Sequence, residues 1–106
     1  MSPVQRSLKY LRLLGYTCAV TERWNPYAKR RQDLLGFGDI LAFKEGAIVL
    51  AQITTRENRH ARRHKIEAEP LAVLWKAAGG KILIQSWYRK GAIGKRKRWI
   101  PTDEWL

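Results

Sequence analysis

Acidic residues are scarce in this chain: nine Asp and Glu stand against 21 Lys and Arg in 106 residues, leaving a formal charge of +12. A domain this basic is drawn to nucleic acid or to an anionic membrane surface. Cysteine is nearly absent. With Cys18 alone there is no internal disulfide and no thiolate metal cluster, and within the apolar stretch Tyr16 to Val20 it reads as a small core residue. No apolar run approaches the roughly 20 residues that span a bilayer, and the start of the chain lacks a signal-peptide pattern. A soluble, intracellular, cytoplasmic protein with no membrane partner is therefore expected. No internal repeat or low-complexity segment occurs, and the length suits one domain over residues 1–106.

Aromatic residues, by contrast, are plentiful. Five Trp, four Tyr and two Phe accompany the positive charge and offer faces on which bases can stack, which favours nucleic acid as the polyanion. Trp24, Trp99 and Trp105 lie nearest the basic runs and are expected at the surface; Trp75 and Trp87 read as core.

Ser2-Pro3 starts a helix, with Ser as N-cap and Pro in the first turn, and Val4, Leu8 and Leu11 recur at helical spacing. Leu13 and Leu14 are expected to widen the buried stripe, with Arg6, Lys9 and Arg12 on the solvent or phosphate side, and Gly15 ends the helix. Tyr16 to Trp24 reads as a strand that stops before Asn25-Pro26. Asn25 to Leu34 has no long apolar period and is expected to form a basic loop or an irregular turn. Phe37–Phe43 and Ala47–Ile53 read as an antiparallel pair joined by Lys44-Glu45-Gly46. A helix follows from Thr55, and Pro70 either kinks it or opens a second one with Leu71, Leu74, Trp75 and Ala78 buried. Gly79-Gly80 stops it. Lys81–Tyr88 is an interior strand, and Trp99-Ile100 is a short last strand at best. The order αβββαβ(β) predicts an α/β fold: a mixed central sheet with flanking helices.

Asp39 opens the second strand of this order, and Gln52, thirteen positions on, closes the third with Ile53 and Thr54. An acidic residue at one strand start beside a strand with polar ends is a way to set metal ligands together at a sheet margin. With Gly38-Asp39, Gln52-Ile53-Thr54 and the run Trp24 to Phe37, the chain resembles the PD-(D/E)XK nuclease superfamily, nearest to its small Holliday-junction-resolvase-like and phage-type members. The resemblance implies a restriction-endonuclease-like fold, a Mg²⁺ or Mn²⁺ cofactor, a homodimer and cleavage of nucleic acid, DNA rather than RNA, branched or otherwise structured. Asp39 corresponds to the metal-binding aspartate. Three positions depart from the pattern: Gln52 replaces the second acidic ligand, Thr54 the catalytic lysine, and Gln5 a first-helix glutamate.

A single carboxylate with neutral oxygens binds a hard divalent ion weakly, so the expected metal set of Asp39, Gln52 and the Ile53 carbonyl needs help. Glu22 and Asp33 are the candidate replacement carboxylates, each with a plainer alternative: a surface ion pair of Glu22 with Arg23 or Arg31, and a turn role for Asp33. Lys29, Arg63 or Lys65 could restore the missing positive charge. His60 and His64 are spaced like zinc ligands, but position 61 is Ala and two further ligands cannot be named. Three basic runs are the expected phosphate contacts: Lys29, Arg30 and Arg31; Arg56, Arg59, Arg63 and Lys65; Lys95, Arg96, Lys97 and Arg98. Three readings follow: a metal-dependent endonuclease, a catalytically inactive nucleic-acid-binding module on a degenerate nuclease fold, or a basic structural protein in which Asp39 is incidental.

Overall fold

A computed structural model describes all 106 residues. Helix α1 (Pro3–Leu13) begins where expected, because Ser2 Oγ accepts the Gln5 N–H at 3.2 Å and Pro3 occupies the first turn. The remaining elements are β1 (Thr17–Val20), β2 (Arg23–Asn25), β3 (Arg30–Gln32), β4 (Ile40–Lys44), β5 (Ala47–Thr55), α2 (Arg59–Glu67), α3 (Pro70–Ala77), β6 (Lys81–Lys90) and β7 (Arg98–Trp105). Five strands form one sheet in the order β1-β4-β5-β6-β7. Only β5 and β6 run parallel, since α2 and α3 carry the chain back across the sheet between them; the other pairs are antiparallel. The fold is thus α/β, with a mixed five-stranded sheet and three helices.

Alternation along the strands sends one set of side chains to each face. Ile40, Ala42, Val49, Ala51, Ile53, Leu83 and Trp87 pack with Leu8 and Leu11 of α1. Phe37, Leu50, Ile82 and Ile84 pack with Ile66 of α2 and Ala72 of α3 on the other. Trp87, though buried, keeps its indole N–H satisfied by donating to Ser7 Oγ at 2.8 Å. Cys18 is half-buried at the margin of the α1 cluster, where burial pushes its thiol up and disfavours the reactive thiolate.

Several expectations need correction. The strand expected over Tyr16–Trp24 ends at Val20, where Thr21 turns inward: its N–H donates to Asp39 O at 2.9 Å and its hydroxyl to Gly38 O at 2.8 Å. The segment expected to be a loop is instead a two-stranded ribbon, β2 with β3, whose turn is organised by Asn25 Oδ1 accepting the N–H groups of Tyr27 and Ala28 at 2.9 and 3.1 Å. Phe37 lies in a turn rather than in β4, although it is fully buried. The last strand is eight residues long, not a short remnant, because β6 supplies a full antiparallel partner from Leu83 to Lys90.

Two helical stripes also differ. Leu13 is 78% exposed and Leu14 is exposed too, because Leu13 falls nearly opposite Leu11 on the helical wheel. On α3 the fully buried residue is the small Ala72, with Trp75 half-buried and its indole N–H on Lys81 O at 2.8 Å, while Leu74 is 63% exposed and Leu71 and Ala78 are exposed as well. Arg6 is half-buried against aromatic rings rather than free on the solvent side. Its guanidinium lies 4.0 Å from the Trp99 ring centroid and 5.4 Å from that of Trp87, and it donates to Met1 O at 2.9 Å. No helix is long and apolar enough to cross a membrane.

Gly38, just before Asp39, has no room for a side chain: a Cβ there would lie 2.4 Å from Leu50 Cδ1, and Leu50 is itself fully buried. Gly38→Ala is expected to lower stability by about 1–3 kcal/mol through overpacking. A urea midpoint equal to that of the parent chain would contradict this.

Candidate metal centre and its basic clefts

Asp39 is held by its backbone before its side chain does anything. Its N–H donates to Ala51 O at 2.9 Å and its carbonyl accepts the Thr21 N–H at 2.9 Å, which pins it between the end of β1 and the middle of β5. The hairpin register pairs Ile40 with Ala51, so Asp39 falls opposite Gln52. One carboxylate oxygen, Oδ2, accepts both Gln52 Nε2 at 2.7 Å and the Ile53 N–H at 2.8 Å. Asp39 is only 4% exposed and Gln52 3%.

The β2–β3 ribbon brings two more carboxylates to the same place. Arg23 pairs with Gln32 at its base, and one step further out stand Glu22 and Asp33. Oxygens of Glu22, Asp33 and Asp39 all lie within 4.8 Å of one another. Glu22 also forms its expected ion pair, accepting Arg31 Nη1 at 2.6 Å, while it stands in the acidic group.

Three carboxylates this close cannot all be charged comfortably. Burial first, then a hydrogen bond shared with Asp33 and the negative charges of Asp33 and Glu22, push the Asp39 carboxyl up to about 8, against the opposing pull of the Ile53 N–H. Near neutral pH, without a cation, the Asp39 carboxyl therefore keeps its proton. A divalent cation would do the same work with more charge.

The donor set suits such an ion. Every available ligand atom is oxygen, the preference of Mg²⁺ and Mn²⁺. In addition, Gln52 Oε1 is buried with no hydrogen-bond partner beside the carboxylates, an acceptor that a hydrated cation or its water would satisfy. Compared with the expected set, Asp39 and Gln52 are in place, while Ile53 offers its N–H rather than its carbonyl. Glu22 and Asp33 supply the other two carboxylates of the group. Thr54 is buried on the same face of β5 as Gln52 and carries no charge, so the lysine that the resemblance implies has no counterpart at this position.

Two of the three proposed substitutes do not fit. Lys29 is at the turn of the ribbon, the end away from Asp33, and Arg63 is held by Glu67 at 2.6 Å and by Glu104 of β7. Lys65 fits. From α2 it lines an open cleft of about 550 Å³ together with Arg30, Arg31 and Asp33. A second cleft, of about 480 Å³, includes Thr21, Glu22, Arg23 and again Asp33. Asp33 thus lines both clefts and Glu22 the second, while buried Asp39 lines neither; the first cleft is rimmed by three cations.

The remaining basic residues are distributed around the same end of the sheet. Arg56 follows β5 and stacks 4.8 Å from the Tyr88 ring centroid; Arg59 is half-buried at the start of α2. Lys95, Arg96 and Lys97 in the β6–β7 connection and Arg98 at the start of β7 are exposed, beyond the end of β6 that lies alongside Thr55. Of the three basic runs, Arg30, Arg31 and Lys65 share a cleft with Asp33, Arg63 is paired with Glu67 and Glu104, and the third run stands apart on its own ribbon. His60 and His64 are both exposed and belong to no group of candidate ligands. The ribbon itself is the feature that reading along the chain overlooked. Its signal was Asn25-Pro26, a turn opener flanked by two short charged segments.

Gln52→Glu would place a fourth carboxylate in the cluster. Its expected result is a split: Mn²⁺ affinity rises by about tenfold, while the metal-free chain melts lower because another buried negative charge lacks a counterion. Calorimetric titration and thermal melts check the two halves. Comparison with protein-family models finds no match to this chain, and comparison with curated proteins finds none either.

Proposed function

We propose that this chain is a divalent-metal-dependent endonuclease of restriction-endonuclease-like, PD-(D/E)XK type, acting on branched or otherwise structured DNA. The observation that carries the reading is the meeting of Glu22, Asp33 and Asp39 within 4.8 Å beside the unpaired amide oxygen of buried Gln52. A bound Mg²⁺ or Mn²⁺ would supply a Lewis acid and a water acidified enough to attack phosphorus.

The protein's own residues do the rest. Asp39, Asp33 and Glu22 would hold the cation, and the Gln52 amide and Ile53 N–H fix the Asp39 carboxylate in place. Lys65 and Arg30, on the rim of the larger cleft, face the phosphate backbone and offset the charge that builds on the pentacovalent phosphate. Arg31 shares that rim, paired with Glu22, and would add a further positive charge toward a phosphate. An intracellular, cytoplasmic setting and a homodimer presenting two clusters to a symmetric junction belong to the same reading.

The test uses a four-way junction, linear duplex, single-stranded DNA and RNA, each incubated with the full chain in Mg²⁺, Mn²⁺ or EDTA. Junction cleavage that requires the metal supports the reading. Absence of cleavage on every substrate overturns it.

One observation favours a second reading, a binding module without catalysis: no lysine stands on β5 beside Gln52, Thr54 occupying the place. That reading expects junction or duplex binding that falls steeply with salt and is indifferent to EDTA. Metal-dependent affinity would count against it.

A further inference from the structure

The β6–β7 connection carries a feature that metal chemistry does not use. Strand β5 leaves β6 at the pair Thr55 and Trp87, yet β6 and β7 stay paired through Tyr88, Arg89 and Lys90 with Ile100, Trp99 and Arg98. Three further pairs therefore project past the sheet as a two-stranded arm, roughly 10 Å long at the usual rise per residue.

Its root is stiffened by stacked cations. The Trp99 ring has the Arg6 guanidinium 4.0 Å and that of Arg89 5.4 Å from its centroid, and Tyr88 has Arg56 at 4.8 Å. At the tip the chain turns sharply, with the Lys95 N–H donating to Ala92 O at 3.0 Å and Gly94 taking the left-handed conformation (φ +78°) that the turn requires. Ile93 occupies the apex and is fully exposed. From Arg89 to Arg98 there is no acidic residue, and Lys90, Lys95, Arg96, Lys97 and Arg98 surround a shallow concavity at the tip.

A β-branched hydrocarbon at the apex of a cationic two-stranded arm has the chemistry of a wedge. The cations grip phosphates on either side, and the methyl groups replace the stacking partner that a base has lost. We propose that Ile93 inserts at an unstacked base step, such as a branch point, and that the arm makes the chain prefer structured over continuous duplex DNA. This rests on the nucleic-acid reading above and adds the element that selects the substrate. An anionic membrane suits the arm less well, because a single aliphatic side chain offers far less apolar surface than an interfacial anchor needs.

The experiment compares the full chain with Ile93→Ser and, separately, with the double substitution Lys95→Ala and Lys97→Ala. Each is titrated with a four-way junction carrying 2-aminopurine at its branch, with linear duplex of equal length, and with phosphatidylserine vesicles. The parent chain is expected to brighten the 2-aminopurine and to prefer the junction. Ile93→Ser is expected to lose the brightening and about tenfold of the junction-to-duplex affinity ratio. The double substitution is expected to weaken both DNAs and to reduce the salt slope by about two. Because Ile93 touches nothing in the fold, its replacement leaves folding intact, and a melt confirms this.

An unchanged affinity ratio and an unchanged 2-aminopurine signal in Ile93→Ser would overturn the wedge while leaving metal-dependent cleavage standing. A parent chain that binds neither DNA overturns both readings. Binding of vesicles but not of DNA, lost in Ile93→Ser, would assign the arm to membranes instead.

Discussion

Asp39→Asn is expected to abolish metal-dependent cleavage while the chain stays folded. The amide has almost the shape of the carboxylate, and its oxygen can still accept from Gln52 Nε2 and the Ile53 N–H, which now reach Asp39 Oδ2 at 2.7 and 2.8 Å. What disappears is the most deeply held of the three carboxylates, around which Glu22 and Asp33 converge. Loss of a group that merely orients a ligand costs 10- to 100-fold in affinity or activity, so loss of the ligand itself is expected to cost more than about 100-fold. Junction cleavage in Mn²⁺ measures the loss, and calorimetric titration should show Mn²⁺ binding vanish with it. Cleavage that persists at the parent rate in Asp39→Asn would remove this site from the mechanism altogether.

The second large effect needs no substrate: without metal, the chain is expected to lose stability as pH rises from about 4 to about 8. The sign follows from the direction of the shift. Asp39 has an ordinary carboxyl value of 3.8 when unfolded and is raised to about 8 when folded, by burial first and by its hydrogen bond with Asp33 next. Below the unfolded value both states are protonated and the fold has its full stability. Between the two values the unfolded chain ionises while the folded one holds its proton, so stability falls by up to about 1.4 kcal/mol per pH unit from this group. Above about 8 the contribution levels off.

The total is on the order of a few kcal/mol, a large share of the roughly 5–15 kcal/mol that holds a domain together. A cation that replaces the Asp39 proton should recover it, by about 2.7 kcal/mol when present at 100 times its dissociation constant. The rise in melting temperature with Mn²⁺ is therefore expected to be large at pH 8 and small at pH 5. Asp39→Asn should flatten the pH slope, melt higher than the parent at pH 8 without metal, and ignore Mn²⁺. The difference between parent and variant is the useful quantity, because other groups titrate in both. Parallel pH profiles for the two chains, with no response to Mn²⁺ in either, would mean that the three carboxylates do not act as a unit.

The two expectations interlock, since the repulsion that destabilises the metal-free fold is also what a cation would be bound by. A site with all its charges already paired would show neither effect. Arg63 illustrates the contrast: held by Glu67 and Glu104, it has little left to offer a phosphate.

How much of this could be read along the chain differs sharply between the parts of the site. The adjacency of Asp39 and Gln52 follows from local pattern. Lys44-Glu45-Gly46 makes a short connection, Lys44 pairs with Ala47, and counting outward along two alternating strands brings Asp39 opposite Gln52. The α/β class, the start of α1, the antiparallel β4–β5 pair and the interior strand β6 follow likewise from caps, turns and apolar spacing. Glu22 and Asp33 stood out as carboxylates, but no periodicity joined them: their ribbon is short, exposed and charged, and carries no apolar alternation.

Sequence alone therefore determined the charge, the class of fold and one pair of the centre, because those depend on interactions a few residues apart or on composition. Tertiary structure decided the rest. The ribbon folded back to bring Glu22 and Asp33 onto Asp39, Glu104 crossed from β7 to occupy Arg63, and β6 gave β7 a partner long enough to build the arm under Ile93. Each of these joins segments far apart along the chain, and such meetings are set by how sheet and helices pack rather than by any local preference.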